Sequence, residues 1–489
     1  MKKIIALLLI FCCTLTLFSG CKSNGETDGE AVVVPNISDQ KEGTLKLAYS
    51  KAGLLDPFNS STSANLQILG LVYDGLFKLD KSYQPIPVIA KNGIANGTTV
   101  NITLSSAVFS DGTPITSSDV VYSFEQARYS PAYSTRLKNF SQANATTSNM
   151  IVFNLHTPDP YALSCLTFPI VKNNSEGELP VGSGRYVPQK SGESIYLMVN
   201  TRKTDFNPSI KTIMLVPVRD SSSIESSLEI GNTGFYYNDL SDGKYLRINA
   251  KTVDMGINNF IYLGFNSESG VFSDALLRQA VNLAINRKEI VTTAFQGHAR
   301  EAYSPFNPDW YALASKDLII TGNTQKAIQF IEESGTDLDG IAISLLVNKD
   351  NQFKLETAEY IKTSLESLGF EVRLKDYETE YYTEAVKMGA YDIYIGEVRL
   401  SPNMDLHPLL SAGSVSYGID PENEACIRYE QFLSGGCELM DFINSFNENL
   451  PLVPICYRNG AASYTNAMNS DFNCCDADVF YDIETWSFK

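Results

Sequence analysis

Residues 259–290, NFIYLGFNSESGVFSDALLRQAVNLAINRKEI, combine a strand pattern with a helix pattern. The aromatic and β-branched run Phe260–Phe265 predicts a strand, and the Asn, Ser and Gly residues that follow it predict a turn. Apolar residues then recur at helical spacing from Asp274 to Ile290, with Ser273 at the position of an N-cap. We therefore expect a strand that leads into an amphipathic helix, which is a building unit of α/β folds.

Several positions of this stretch also match a longer pattern, L-x-F-N followed by F-x-D-x-x-x-R-x-A-x-x-x-A-I-x-R. The matching residues are Leu263, Phe265, Asn266, Phe272, Asp274, Arg278, Ala280, Ala284, Ile285 and Arg287. The pattern resembles that of the family 5 extracellular solute-binding proteins, the peptide and nickel receptors of ABC importers, where it marks the passage from the first lobe to the second. One departure is Asn286, because the family usually has Asp before the last Arg.

Two other segments carry the same resemblance. Residues 109–121, FSDGTPITSSDVV, are similar to the family's F-S-D-G-x-P-x-T-A-x-D-V. The physical content of this segment is structural, since Asp-Gly favours a turn and Thr116 or Ser117 can cap the helix that follows. Residues 450–457, LPLVPICY, resemble the strand by which family members return to the first lobe.

The resemblance implies an α/β, two-lobed, periplasmic-binding-protein-like fold of type II, of the large cluster with an extra subdomain in lobe I. Lobe I is expected to comprise residues 44–55, 181–258 and 452–489, its subdomain residues 56–180, and lobe II residues 259–451. The alternation of strand and helix patterns from 341 to 395 independently predicts a parallel sheet with helices on both faces. Ligands of such sheets lie beyond the carboxyl ends of the strands.

The N-terminus predicts export and attachment to a membrane. Lys2 and Lys3 precede an apolar run that is too short for an ordinary membrane-spanning helix, and small residues stand before Cys21. Residues 1–20 are therefore interpreted as a lipoprotein signal peptide, Cys21 as the lipidated residue, and residues 21–43 as a flexible tether. The expected location is the outer face of the bacterial cytoplasmic membrane. The alternative is a plain secretory signal.

Composition excludes some functions. The formal net charge of −18 repels polyanions, so nucleic acid is not expected as a partner. No catalytic motif of the G-x-S-x-G, H-E-x-x-H or Walker type occurs, so we predict a binding protein without a cofactor rather than an enzyme. A hydrolase that uses an unrecognised pair of carboxylates is the alternative.

The mature chain has six cysteines beyond Cys21, in spacings that match no zinc pattern. Export permits disulfides, and Cys426 and Cys437 are close enough in sequence to close a small loop. Free thiols are the simpler expectation, because a chain of this size needs no covalent staple.

Residues 396–408, GEVRLSPNMDLHP, follow the last strand of the predicted parallel sheet and are the expected ligand loop. In the family's peptide receptors, an Asp shortly after a G-W pair binds the amino terminus of the ligand. Alignment on Gly396 places Glu397 on that Trp and Leu400 on that Asp, so the usual amine anchor is absent. Glu397 or Asp405 can supply a carboxylate from a shifted position, and Arg399 can bind a carboxylate bidentately. Alternatively, Arg399 and Asp405 bond each other and hold the loop.

The predicted ligand-binding set also includes Asn403 and His407 from the same loop, and Ser416 and Tyr417 as the opposite rim. No metal site is expected, since His407 is far in sequence from the other two histidines. The function predicted from these residues and the resemblance is capture of a short peptide between two lobes by a monomer that delivers it to an ABC permease. A nickel or other metal chelate, another small solute, and peptide sensing without transport are the alternatives.

Overall fold

The computed structural model describes residues 44–489 except positions 52, 54, 176–178, 220, 246–247, 314–317, 319, 321, 411–417, 421 and 470–471. The predicted signal peptide, Cys21 and the tether lie outside the described residues. The strands are β1 Thr44–Ser50, β2 Phe77–Leu79, β3 Pro85–Pro87, β4 Ala90–Asn96, β5 Thr99–Leu104, β6 Phe140–Thr147, β7 Met150–Leu155, β8 Tyr186–Ser191, β9 Ser194–Val199, β10 Thr212–Val218, β11 Phe235–Asn238, β12 Lys251–Phe265, β13 Ala299–Glu301, β14 Ala342–Asn348, β15 Glu371–Tyr377, β16 Ile393–Arg399 and β17 Leu452–Tyr464.

The helices alternate with these strands in the second half of the chain. They are α1 Ser63–Val72, α2 Ser117–Ala127, α3 Ser221–Glu229, α4 Ala275–Ala284, α5 Arg287–Thr293, α6 Thr324–Ser334, α7 Gln352–Glu366, α8 Thr379–Lys387, α9 His407–Leu410, α10 Glu424–Leu433 and α11 Leu439–Asn449. None of the helices in the described part of the chain has the length and apolar composition needed to cross a membrane.

One large sheet runs through the molecule in the order β15-β14-β16-β12-β17-β11-β1-β10-β9-β8, with β13 added beside β17. Strands β15, β14 and β16 are parallel, as the alternation of strands and helices predicts. Strand β12, however, is antiparallel to both β16 and β17, so the sheet as a whole is mixed. A separate antiparallel sheet, β4-β5-β7-β6, lies within the predicted subdomain.

Strands β12 and β17 connect the two halves of the large sheet. Residues 251–256 pair with 459–464, where β17 also pairs with β11, whereas residues 259–264 pair with 452–458, where β12 also pairs with β16. The register shifts between Gly256 and Asn259, which is where pairing passes from one half to the other. We call residues 256–259 and 458–459 the crossing region. Leu452 begins β17 on the β16 side of this region.

Each half of the sheet has its own core. One core joins the β1 and β10 side with the subdomain, and it includes Phe124, Phe153, Phe235 and Trp486. A second core lies around β14 and α4 in the other half. A third cluster contains residues of both halves, because Leu79 and Tyr83 from the subdomain side pack with Phe260, Trp310 and Tyr457.

The opening stretch of the sequence folds as strand and helix, with three corrections. Strand β12 begins at Lys251, well before Phe260. The N-cap of α4 is Asp274 rather than Ser273, since its side chain accepts from the Leu276 N–H. The predicted single helix is two helices, and Asn286 caps the second one by accepting from the Glu289 N–H.

The two arginines of the family pattern are buried and bind backbone carbonyls. Arg278 donates to the carbonyls of Phe272, Ser273, Asn449 and Leu450. Arg287 donates to those of Ala302 and Pro454, at 2.8 Å each. The two arginines therefore hold α4 and α5 against β17 and the residues that precede it, so their role is structural. Thr116 is the N-cap of α2, and its backbone N–H donates to Asp119 at 2.8 Å, as the FSDG segment predicts.

All six cysteines beyond Cys21 are free thiols, and five of them are buried. A disulfide between Cys426 and Cys437 is therefore absent, in agreement with the simpler expectation.

Candidate functional site

Strand β16 positions the first predicted residues of the ligand loop. The structure extends this strand to Arg399, so Glu397 and Arg399 belong to a strand and share one face of it. Gly396 lies opposite Tyr262 of β12, and a Cβ at this glycine would be 2.2 Å from the Tyr262 ring. The arrangement is reversed two residue pairs further along, where the ring of Tyr394 on β16 covers Gly264 on β12. These two contacts fix the register of β16 beside the crossing region.

Arg399 bridges the two halves of the molecule. Its Nη2 donates to Oδ1 of Asp476, which lies in the C-terminal segment, and its Nη1 donates to Oδ1 of Asn259 at 3.2 Å. Asp476 also accepts from the Asn258 N–H at 3.0 Å and from the hydroxyl of Tyr83 at 3.4 Å. The predicted alternative, a bond between Arg399 and Asp405, is wrong.

The exposure of Arg399 differs sharply from that of its partners. Its side chain is 48% exposed, whereas the side chain of Asp476 is 8% exposed. Asn259 and Tyr83 are likewise buried. The half-exposed side chain of Arg399 thus lies among buried partners, close to the crossing region.

Glu397 is part of a buried ion network. Its carboxylate accepts from Lys354 Nζ at 2.6 Å, from Arg458 Nη2 at 2.9 Å and from Asn259 Nδ2 at 3.0 Å. Burial by itself would raise the pKa of Glu397, but Lys354 and Arg458 hold that pKa at about 2. Glu397, one of the two residues predicted to bind the amino group of the ligand, is therefore already paired with two cations of the protein.

Asn403 contacts the subdomain side. Its Nδ2 donates to Oδ2 of Asp159 at 2.8 Å, while its own Oδ1 is buried without a described partner. Burial raises the pKa of Asp159 to about 6, although the donation from Asn403 opposes this effect. Beside this contact, the ring of Tyr161 meets Trp310 edge-on at 4.6 Å between centroids. The loop after β16 is thus held against residues 159–161.

Asp405 and His407 form a pair within the loop. Nδ1 of His407 contacts the Asp405 carboxylate, and its Nε2 lies 3.2 Å from Glu430. Burial would lower the pKa of His407, but Asp405 and Glu430 raise it above its ordinary value. Asp405 also accepts from the hydroxyl of Tyr429 at 3.3 Å. Ser416 and Tyr417 lie outside the described residues.

The structure thus brings Glu397 and Arg399 to the crossing region and Asn403, Asp405 and His407 to the adjoining loop. The analysis of the sequence missed Asp476, Asp159 and Tyr83, which meet these residues from the other half. No local pattern marks them.

Two surface depressions lie elsewhere. One is lined by α5 and α7 and has a volume of about 480 Å³, and the other is lined by Phe58 and Tyr129. Within the described residues, no three His, Cys, Asp or Glu side chains are grouped so as to bind a metal ion.

Residues 84–415 match the family model of the bacterial extracellular solute-binding proteins, family 5. The match covers more than half of the 489 residues, and the chain belongs to this family. The predicted family is therefore confirmed, and with it the class of solute-binding proteins of transporters.

The chain is also similar to individual family members. The oligopeptide-binding protein AppA of Bacillus subtilis is 22% identical over 434 residues, which are 79% of this chain and 78% of AppA. Its solved structure, in complex with a nonapeptide, matches 91% of this chain and 99% of that one with a TM-score of 0.58 at 20% identity.

Two further solved structures are similar in fold. The murein tripeptide-binding protein MppA, in its unliganded open form, has a TM-score of 0.74 at 16% identity and covers 92% of this chain and 98% of its own. NikZ of Campylobacter jejuni, in complex with Ni(L-His), has a TM-score of 0.62 at 17% identity, with 91% and 99% coverage. These similarities confirm the predicted α/β two-lobed fold.

Proposed function

We propose that this protein captures a short peptide between its two lobes and delivers it to the permease of an ABC importer. The observation that carries the proposal is the Arg399–Asp476 pair, which joins the two halves of a family 5 fold and leaves the Arg399 side chain half-exposed. A peptide offers a carboxylate to such a group and backbone donors and acceptors to the surrounding polar residues. The peptide ligand of the relative AppA supports the same assignment.

Transfer to the permease follows from lobe closure in this proposal. Strands β12 and β17 are the two connections between the halves of the sheet, and their register shift at the crossing region is a natural place for a hinge. Ligand contacts that exist only when the lobes are together shift the protein towards the closed form, which the permease then recognises. The protein acts as a monomer.

The proposal includes a lipid anchor at Cys21, which holds the protein on the outer face of the cytoplasmic membrane through the tether of residues 21–43. The layout of the first 21 residues supports this anchor. It agrees with the extracellular location that is typical of the family.

The test is the thermal unfolding of the purified protein with a pool of mixed di- to pentapeptides, compared with nickel chelates such as Ni(L-His). We expect stabilisation by the peptide pool and none by the chelates. Stabilisation by the chelates alone would refute the peptide assignment. Cleaved peptides after incubation would refute the class of binding proteins. Native mass spectrometry of freshly purified protein then identifies any solute that co-purifies.

A further inference from the structure

The guanidinium of Arg399 has more hydrogen-bond donors than its described partners use. An arginine carries five N–H donors in a planar fork. The described residues accept one bond from Nη1, at Asn259, and one from Nη2, at Asp476. With 48% of the side chain exposed, an edge of the fork remains open to solvent. Such an edge fits a carboxylate, whose two oxygens match parallel N–H groups.

Four carboxylates near Arg399 and its loop have partners within the protein. Glu397 is paired with Lys354 and Arg458, Asp476 with Arg399, and Asp405 with His407. Asp159 has no cation partner among the described residues, but it is 5% exposed and covered by Asn403. Arg399 keeps a half-exposed side chain among these residues, and a cation suits the anionic end of an amphoteric ligand rather than its amine end.

Asp476 determines where the fork points. It contacts Arg399 from the C-terminal segment, whereas Arg399 itself is on β16 in the other half. Asp476 is fixed in turn by the Asn258 N–H and by the hydroxyl of Tyr83. The guanidinium is consequently oriented only when the two halves are together.

We propose that the solute is anchored by a free carboxylate on the open edge of Arg399, with Asp476 as the residue that positions the guanidinium. This proposal rests on the proposed function and assigns the peptide a polarity. The site selects a free carboxyl terminus and accepts a blocked amino terminus. Binding of the carboxylate also favours the closed arrangement, because Asp476 orients the receiving guanidinium from the other half of the molecule.

The test uses a pool of tri- to pentapeptides made only of Ala, Val, Leu and Phe, so that the terminus is the only carboxylate. The pool is prepared with both ends free, with the amino end acetylated, and with the carboxyl end amidated. Apparent affinities are measured by isothermal titration calorimetry on the full chain. For the wild type we expect acetylation to change affinity by less than about 3-fold and amidation to weaken it by about 10- to 100-fold, the scale of a lost charge-assisted pair.

The variants separate ligand contact from a purely structural role. Arg399→Gln should bind the free and amidated pools equally, and Arg399→Lys, which keeps the charge without the fork, should keep part of the preference. Asp476→Asn should reduce the ratio of free to amidated affinity, which a loss of stability alone would not change. Arg373→Gln is the matched control, because Arg373 is 68% exposed and paired with Glu371 on the remote strand β15. The ratio of free to amidated affinity of this variant should equal that of the wild type.

The possible failures are distinct. If the wild type binds no form of the pool, the proposed function and this proposal fail together. If the free pool binds but acetylation abolishes binding while amidation does not, the amine is the anchored end and only the carboxylate anchor is refuted. The carboxylate anchor alone is also refuted if Arg399→Gln and Arg399→Lys fold and retain the wild-type preference for the free over the amidated pool.

Discussion

Replacing Glu397 by Gln should destabilise the half of the molecule that contains β16. The network of Glu397 with Lys354 and Arg458 holds the carboxyl pKa at about 2, against an ordinary value of 4.5. This difference corresponds to about 3 kcal/mol of stabilisation at neutral pH. The amide also leaves two cations without a counter-ion, of which Arg458 is 1% and Lys354 13% exposed. Removing one partner of a buried ion pair costs about 3 to 5 kcal/mol, and we expect the free energy of unfolding to fall by an amount in that range.

The pH dependence gives a second readout. Because the folded pKa of Glu397 is lowered, its contribution is complete above pH 4.5 and is lost as the pH falls towards 2. Urea unfolding of wild type and variant, followed by near-ultraviolet circular dichroism, should therefore give free energies of unfolding that differ most at pH 7. The difference should shrink between pH 4.5 and 2. Other carboxylates titrate in the same range, but they do so in both proteins and cancel in the difference.

The matched control is Glu371→Gln, which removes a surface pair with Arg373 whose carboxylate is 57% exposed. Surface ion pairs contribute little to stability, so the free energy of unfolding should change by less than about 0.5 kcal/mol. A double variant, Glu397→Gln with Lys354→Met, should recover part of the loss, since it removes one uncompensated cation. The reasoning is refuted if Glu397→Gln unfolds within about 1 kcal/mol of the wild type and follows the same acid profile.

Three further changes test other parts of the structure. Asp159→Asn should raise the free energy of unfolding at pH 7 by about 3 kcal/mol, because burial raises the Asp159 pKa to about 6 and disfavours its charge. It should also abolish the gain in stability that the wild type shows on acidification through pH 6, and equal pH profiles would contradict this. Gly396→Ala should cost about 1 to 3 kcal/mol in urea unfolding, because its Cβ would meet the Tyr262 ring at 2.2 Å, whereas Gly70→Ala in α1, with nothing within 4 Å, should be neutral or stabilising. Cys21→Ala should move the protein from the membrane fraction to the medium in cell fractionation, and unchanged membrane association would exclude the lipid anchor.

The order of strands and helices could be predicted because it follows local periodicity. The start of β12 and the break between α4 and α5 were predicted wrongly, for different reasons. Strand β12 begins at Lys251 because it continues through both halves, and its first residues, KTVDMG, lack the apolar run that marks a buried strand. The break between α4 and α5 did have a local signal. Asn286 followed three residues later by Glu289 is a typical helix start, and the apolar spacing across it concealed that signal.

The partners of the ligand loop could not be read from the sequence, because they come from distant segments. Asp476 is 77 positions from Arg399, and Asp159 is 244 positions from Asn403. Sequence spacing within the loop instead pointed to Asp405 as a partner for Arg399. In the fold, Arg399 lies within β16 beside the crossing region, whereas Asp405 turns back towards His407 and Tyr429. Side chains six residues apart in the sequence therefore have separate partners.

The residues that carry the family resemblance and those that would select the ligand are different in kind. Arg278 and Arg287 bind backbone carbonyls, and Gly396 makes room for Tyr262, so each of these preserves the scaffold whatever solute is bound. Three positions beyond Gly396, Arg399 keeps a half-exposed side chain whose guanidinium donates to Asp476. Family membership therefore fixes how β16 is placed beside the crossing strands. In the proposed site, the side chains at its carboxyl end select the carboxylate of an amphoteric solute. Removing the charge of Arg399 or Asp476 should therefore weaken the preference for a free carboxylate without changing the fold.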